Sequence, residues 1–327
     1  MNWTFPWNLG LHAAMSCVLF LLAGCMRPPA HHDQGKIAER KAVAFLSREV
    51  PAWSRENGCF SCHNNGDAAR ALFAASAKGH HIEDSALADT LRWLTQPERW
   101  DDNKGDPGFS DKRLANLQFA AALGAAIESG HVADRNPLRI AARRVAADQG
   151  SDGGWTIDAQ SMAGSPATYG SVLATHMALG MLEASGSEPT AAAKAVRWLE
   201  NAKPMNVLEA AALVMRFARA TNHATLAKME QSLAMIRRAQ GNEGGWGPFP
   251  DTPAEPFDTA VVLLALAEVR SLDKVEAMIA GGRRFLISEQ NADGSWPATT
   301  RPRGGESYAQ QLSTTGWATL ALLKTRP

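Results

Sequence analysis

The sequence predicts an all-α protein built from repeated pairs of helices. Alanine is abundant along the 327 residues and runs of β-branched residues are few, which favours helix over strand. Apolar residues make up 45% of the chain, enough for a sizeable core. A turn that begins with glutamine and ends with glycine and tryptophan also recurs three times after a helical segment. Such a recurrence indicates a helical repeat architecture.

The charge composition excludes one class of partner. Lys plus Arg and Asp plus Glu both number 33, so the formal net charge is near zero. A nucleic-acid partner would favour a basic surface, and we therefore expect no nucleic-acid binding.

The N-terminal segment predicts export. Residues 11–24, LHAAMSCVLFLLAG, form an apolar run that is too short to span a bilayer comfortably and that ends in small residues. We therefore expect residues 1–24 to be a signal peptide, although no Lys or Arg precedes the apolar run. The alternative is a buried or interfacial apolar segment.

The end of that run resembles the lipobox of bacterial lipoproteins. Residues 22–25 read LAGC, and the resemblance implies that Cys25 carries lipid and becomes the mature N-terminus. Because Met26 rather than Asp follows, it implies anchorage on the outer rather than the inner membrane of a Gram-negative cell, facing the periplasm. Residues 25–36 are polar and contain prolines, so we expect a flexible tether.

The first helix pairs follow the tether. Residues 37–130 contain a pair with helices near 37–50 and 66–78, and a second pair near 84–95 and 111–128. These lengths are typical of helical repeats.

Three turns of one design mark the rest of the chain, residues 131–327. They are QGSDGGW at 149–155, QGNEGGW at 240–246 and QNADGSW at 290–296. Glycine allows the chain to reverse after a helix, the glutamine can bond backbone groups of a neighbouring helix, and the tryptophan packs against the adjoining repeat. One unmarked pair fits between the first two turns, around residues 198–220, which gives about six pairs in all.

The second helix of each marked pair is expected to begin at a side chain that can bond the free amides of its first turn. The candidates for this N-cap role are Thr168, Asp258 and Ser313.

These turns resemble the QW motifs of squalene–hopene cyclases and related prenyltransferases. The resemblance implies an α/α toroid, in which inner helices line a central cavity and outer helices surround them. Class II cyclases protonate their substrate with the middle Asp of a D-x-D-D-T-A motif, and this chain has Phe257 at that place, between Glu255-Pro256 and Asp258-Thr259-Ala260. No Cys follows Cys62, so the prenyltransferase zinc site is not implied either. We therefore expect neither cyclase nor prenyltransferase activity.

The histidine His176 lies on a later predicted helix of the chain. It either faces the cavity or is an ordinary helix histidine.

The most specific chemical motif is Cys59-Phe60-Ser61-Cys62-His63. Two thiols three positions apart, followed at once by an imidazole, form the attachment pattern of a c-type haem. Cys59 and Cys62 would bond the porphyrin and His63 would ligate the iron. The alternatives are a Cys59–Cys62 disulfide and a zinc site of Cys59, Cys62 and His63, with or without His80 or His81.

The motif lies where later repeats place their marked turn, between the two helices of the first pair. His80 and His81 are the candidates for the sixth iron ligand, because no Met lies between His63 and Met162. The predicted function is electron transfer or haem-based redox work at the cell envelope, with a redox partner that the sequence does not identify. The alternatives are a non-haem toroid that binds an apolar small molecule or a polymer, and an isoprenoid-modifying enzyme.

Overall fold

The computed structural model describes residues 31–104, 111–157, 163–301, 304–305 and 307–327. Within these ranges the chain forms α-helices, one π-helix (Cys62–Ala68) that runs directly into α2, and a short 3₁₀-helix (Pro97–Asp102). The α-helices are, in chain order, α1 (His31–Asn57), α2 (Ala69–Ala77), α3 (Asp84–Leu94), α4 (Lys112–Glu128), α5 (Asn136–Ala147), α6 (Ser171–Ser185), α7 (Pro189–Asn201), α8 (Val207–Phe217), α9 (His223–Ala239), α10 (Pro256–Glu268), α11 (Val275–Ser288) and α12 (Tyr308–Lys324). The predicted all-α class is confirmed.

The helices form six pairs arranged as a closed ring. The inner helix of each pair packs against the inner helix of the next, in the order π-helix with α2, α4, α6, α8, α10, α12 and back to the π-helix. The outer helices α1, α3, α5, α7, α9 and α11 surround this ring. The inner helices are buried on nearly all sides, as the long apolar stretches of α8 and α10 require. The predicted toroid of six helix pairs is therefore confirmed, and the ring is closed.

The glutamine of each marked turn bonds the next outer helix, as predicted. Gln149 Nε2 donates to Ala191 O at 2.9 Å, and Gln240 Nε2 donates to Met278 O at 3.2 Å. Gln290 Nε2 donates to Ala38 O at 2.9 Å, so the last turn bonds the first helix. Each amide also bonds a carbonyl within its own turn.

The tryptophan of each turn ties together the two helices of its own pair. Trp246 Nε1 donates to Ile236 O of α9 at 2.8 Å, and its backbone amide donates to the Thr259 hydroxyl of α10 at 2.9 Å. The other two turns repeat this pattern, with Trp155 and Trp296. The far edge of Trp246 reaches the next outer helix at Gly282, where an added Cβ would lie only 2.7 Å from the ring.

The predicted N-caps were wrong. The N-cap residues of α6, α10 and α12 are Gly170, Glu255 and Ser307. The helices α10 and α12 begin earlier than expected, so Asp258 lies in the first turn of α10 and Ser313 in the second turn of α12. Both side chains are therefore free to make contacts across the ring.

The tether boundary at residue 36 was also wrong, because α1 begins at His31. Gly35 belongs to this helix and packs against the Arg283 guanidinium of α11. The predicted signal peptide, the lipidation site Cys25 and the remaining tether residues lie outside the described residues. Among the residues that the structure describes, no helix has the length and apolar character needed to cross a membrane.

Candidate functional site

The Cys59–His63 motif occupies the turn between the outer and the inner helix of the first pair. The helix α1 ends at Asn57, and the π-helix begins at Cys62. This turn corresponds to the marked turns of the later pairs, so the predicted placement of the motif agrees with the structure. A π-helix at this point is notable because such irregular turns often occur at functional sites.

Side-chain hydrogen bonds fix the conformation of the turn. Asn103 clamps Phe60 from both sides, with Oδ1 accepting from its amide at 2.9 Å and Nδ2 donating to its carbonyl at 2.7 Å. Ser61 caps the π-helix by accepting from the His63 amide at 3.2 Å. Asn65 Oδ1 accepts from the Ser61 amide at 3.0 Å. The motif is therefore held by three polar side chains before any ligand binds.

Both thiols of the motif are free and nearly buried. Cys59 and Cys62 are 8% and 6% exposed, and they are not joined by a disulfide. Trp53 Nε1 donates to Cys59 Sγ at 3.3 Å. Burial raises the pKa of the Cys62 thiol to about 12, and the negative charge of nearby Asp67 adds to the shift. Cys62 therefore stays protonated at neutral pH.

The imidazole of His63 has one nitrogen engaged and one available. Its Nδ1 lies 2.7 Å from the Ser313 hydroxyl of α12, whereas Nε2 makes no hydrogen bond to any described residue. The ring is partly buried, and burial lowers the pKa of His63, with the Asp67 carboxylate opposing that shift. A neutral imidazole with a partner on Nδ1 presents Nε2 for a metal.

These residues fit a covalent haem. The group requires two free thiols at this spacing, followed directly by an imidazole with a free nitrogen. All three requirements are met on a turn whose backbone is already fixed. The ring of Phe60 also stacks on Trp93, with centroids 4.5 Å apart, and provides an apolar surface beside the motif.

The structure does not bring His80 and His81 to this site. Both follow α2, whereas His63 lies at the opposite end of the rod formed by the π-helix and α2, which is roughly 20 Å long. His80 Nε2 lies 2.6 Å from Arg326 and 3.5 Å from Glu39, and the exposed His81 pairs with Glu83. Neither ring can therefore reach an iron bound to His63, and a zinc site shared with Cys59 and Cys62 is not assembled among the described residues.

The structure adds a site residue that the sequence did not indicate. Asp67, one helical turn after His63, is completely buried and accepts hydrogen bonds from three different inner helices or their leading loops. The donors are Gln118 Nε2 at 2.8 Å, Trp317 Nε1 at 3.2 Å and the Tyr169 hydroxyl. Burial and the Asp67 charge hold the pKa of Tyr169 well above its usual value, so its hydroxyl remains a donor. Only the closure of the ring brings these residues together.

Aromatic side chains fill the ring beside Asp67. Trp317 packs edge-on against Tyr169 and Phe257, with centroids 5.4 and 5.7 Å apart, and all three rings are at most 1% exposed. The guanidinium of Arg70 lies over the Trp317 ring, 4.2 Å from its centroid. Phe257, at the place of the cyclase acid, is therefore part of a packed aromatic cluster.

A buried ion pair lies next to this cluster. Arg301 donates to the Asp258 carboxylate and to Glu255 Oε2 at 3.0 Å, and also to Gly164 O. Burial raises the pKa of Asp258 to about 7, although the Arg301 charge opposes the shift. This pairing, rather than N-capping, is the contact that Asp258 makes.

His176 lies in a different part of the molecule. It lines a cleft between α6 and α8 together with Glu183, Arg216 and Glu268. Its Nδ1 is buried and has no partner among the described residues. Burial lowers the pKa of His176 to about 4, and the charge of Arg216 lowers it further. His176 therefore plays no part in the Cys59–His63 site.

Comparison with known proteins supports the fold. No family model matches the chain, and no curated protein matches it. Its structure is similar to that of a type II terpene cyclase from Scytonema in complex with geranylgeranyl dihydroxybenzoate, with a TM-score of 0.55, 16% identity, and coverage of 90% of this chain and 98% of that chain.

Two carbohydrate-active enzymes are also similar. An unsaturated glucuronyl hydrolase variant from Streptococcus agalactiae has a TM-score of 0.61 and 11% identity, covering 92% of this chain and 93% of that chain. An unsaturated glucuronyl hydrolase specific for heparin has a TM-score of 0.60 and 12% identity, covering 90% and 97%. At these identities the similarity shows the α/α toroid fold alone.

Proposed function

We propose that this chain is an exported c-type haem protein whose toroid holds one haem for electron transfer or haem-based redox work. The observation that carries the proposal is the state of the motif. Cys59 and Cys62 are free thiols on a fixed turn, and His63 has its Nδ1 engaged and its Nε2 available. Cys59 and Cys62 would hold the porphyrin, and His63 would ligate the iron.

The attachment chemistry requires reduced thiols, as Cys59 and Cys62 are in the structure. Each S–H would add across one vinyl group of the porphyrin, so that the sulfur bonds one vinyl carbon and the thiol hydrogen ends on the other. No net oxidant or reductant is consumed by this addition, provided that both thiols are reduced. The bound iron would supply one-electron chemistry.

We also propose that the chain is exported and anchored by lipid on Cys25, on the periplasmic side of the outer membrane. Haem attachment of this kind takes place in an exported compartment, so a leader at residues 1–24 and the CxxCH motif support each other. A Cys25→Ser variant should lose its lipid and leave the membrane fraction while it keeps its haem. Membrane retention of that variant would contradict the anchor without affecting the haem proposal.

The haem proposal is tested by absorbance of the full chain matured in a periplasm that contains the c-type haem attachment machinery. We expect a Soret band and a pyridine haemochrome spectrum typical of thioether-linked haem. Cys59→Ala with Cys62→Ala should abolish covalent haem, whereas His80→Ala and His81→Ala should leave the spectrum unchanged. A purified wild-type protein without a Soret band would overturn the proposal.

A second candidate is a non-haem toroid that binds an apolar small molecule or a polymer. The observation that favours it is the shared fold with proteins solved with geranylgeranyl dihydroxybenzoate or specific for heparin. The same absorbance measurement separates the two candidates. An isoprenoid-modifying activity is less well supported, because Phe257 is packed against Trp317 where the cyclase acid would lie.

A further inference from the structure

One hydroxyl connects His63 to the last helix of the ring. Ser313 lies in the second turn of α12 and is completely buried. Its Oγ is 2.7 Å from His63 Nδ1, although the two residues are 250 positions apart. Closure of the ring is what creates this contact.

The direction of this hydrogen bond follows from iron ligation. When Nε2 of an imidazole binds a metal, the ring proton remains on Nδ1, which is then a donor. Ser313 Oγ must therefore accept. An acceptor on the second nitrogen fixes the orientation of the ring and makes the ligand a stronger electron donor, which stabilises the oxidised metal.

Among the described residues, the hydrogen-bond partner of His63 Nδ1 is Ser313 and not Asp67. Asp67 contributes negative charge near His63, but its carboxylate is occupied by Gln118, Trp317 and Tyr169. Its hydrogen-bond partners therefore do not include the imidazole. Trp317, one helical turn after Ser313 on α12, also packs against Tyr169 and Phe257.

We propose that Ser313 is a positioning residue that orients His63 and lowers the reduction potential of the iron. This inference rests on the proposed haem function. The sixth helix pair would then supply a hydrogen bond to a site that lies on the first pair. The redox site would therefore depend on closure of the ring.

The test compares the wild type with Ser313→Ala, Ser313→Thr and Thr319→Val, all matured with haem. Thr319 provides the matched control, because it is a buried hydroxyl on the same helix that bonds, among the described residues, only the carbonyl of Thr315, at 2.7 Å. The readouts are covalent haem per chain and the midpoint potential from a spectroelectrochemical titration. We expect equal haem content in all four proteins and a higher potential in Ser313→Ala. Ser313→Thr, which retains the hydroxyl, and Thr319→Val should remain close to the wild type.

Three results would count against the inference. An unchanged potential in haem-loaded Ser313→Ala would overturn it and leave the haem proposal intact. A shift in Thr319→Val as large as that in Ser313→Ala would overturn it as well, because loosening of α12 would then explain both. Absence of covalent haem from the wild type would overturn the proposed function and this inference together.

Discussion

His63 Nδ1 and Ser313 Oγ lie 2.7 Å apart and join the first inner helix of the ring to the last. The same two helices also meet where Trp317 donates to Asp67. The candidate site is thus built on the seam where the toroid closes. Changes at the seam should therefore affect both stability and the site.

The Gln290→Ala substitution should weaken the contact between the last marked turn and the first helix, where the ring closes. Gln290 Nε2 donates to Ala38 O and to Gly294 O, and both bonds are lost in the variant. We expect the free energy of unfolding to fall by about 1–3 kcal/mol, measured by urea denaturation. The exposed Gln231, replaced by Ala, is the control and should cost less than about 0.5 kcal/mol. Equal effects of the two substitutions would contradict a closing role for Gln290.

Asp67 should be the most sensitive polar position in the ring. Asp67→Ala leaves Gln118, Trp317 and Tyr169 with buried donors and no acceptor. We expect a loss of at least about 3 kcal/mol in the free energy of unfolding. Asp67→Asn retains one acceptor oxygen and should lose less. A variant Asp67→Ala within about 1 kcal/mol of the wild type would show that these hydrogen bonds do not stabilise the fold.

Phe257→Asp should destabilise the protein rather than create a cyclase. The new carboxyl would be buried against Trp317, in a site where Phe257 is now completely buried. We expect a cost of at least about 3 kcal/mol, against about 1–2 kcal/mol for Phe257→Leu. Incubation with polyprenyl substrates should give no cyclised product with either variant. Cyclisation by Phe257→Asp would instead support the isoprenoid-modifying alternative.

The stability of the protein should depend on pH through His176. Burial lowers its pKa from 6.5 to about 4 in the folded state, so the unfolded state binds the proton more tightly. The contribution of His176 is therefore fully present above pH 6.5 and is lost as the pH falls towards 4, by at most about 3 kcal/mol. As the pH is lowered from 6.5 to 4, the unfolding free energy of the wild type should therefore fall relative to that of His176→Gln.

The control for that measurement is Gln231→Ala, which changes an exposed position and removes no titratable group. Its unfolding free energy should stay parallel to that of the wild type at every pH between 4 and 7. A wild-type curve parallel to that of His176→Gln would show that His176 does not titrate differently in the folded and unfolded states.

Local patterns in the sequence predicted most of the fold, because helix composition and repeated turns are local features. Gln149, Gln240 and Gln290 make the predicted bonds to the next outer helix. The helix starts were less predictable: Asp258 could cap a helix, but in the structure the buried ion pair with Arg301 takes its carboxylate.

The candidate site was predictable only in part. The motif at Cys59–His63 is contiguous and could be read directly. Ser313 bonds His63 across 250 positions of the chain, and Tyr169 bonds Asp67 across 102 positions. These contacts depend on closure of the ring, which no local pattern encodes. One local feature, the left-handed backbone of Tyr169 with φ of 57°, becomes visible only in the structure. The exclusion of His80 and His81 likewise required the length and direction of α2.

Covalent attachment of haem to Cys59 and Cys62 is tested most directly by peptide mapping of the exported wild-type chain after denaturation. We expect one haem to remain covalently bound to the peptide that contains Cys59 and Cys62, and Cys59→Ala with Cys62→Ala to remove it. Recovery of that peptide with both thiols unmodified, or joined as a disulfide, would contradict covalent attachment.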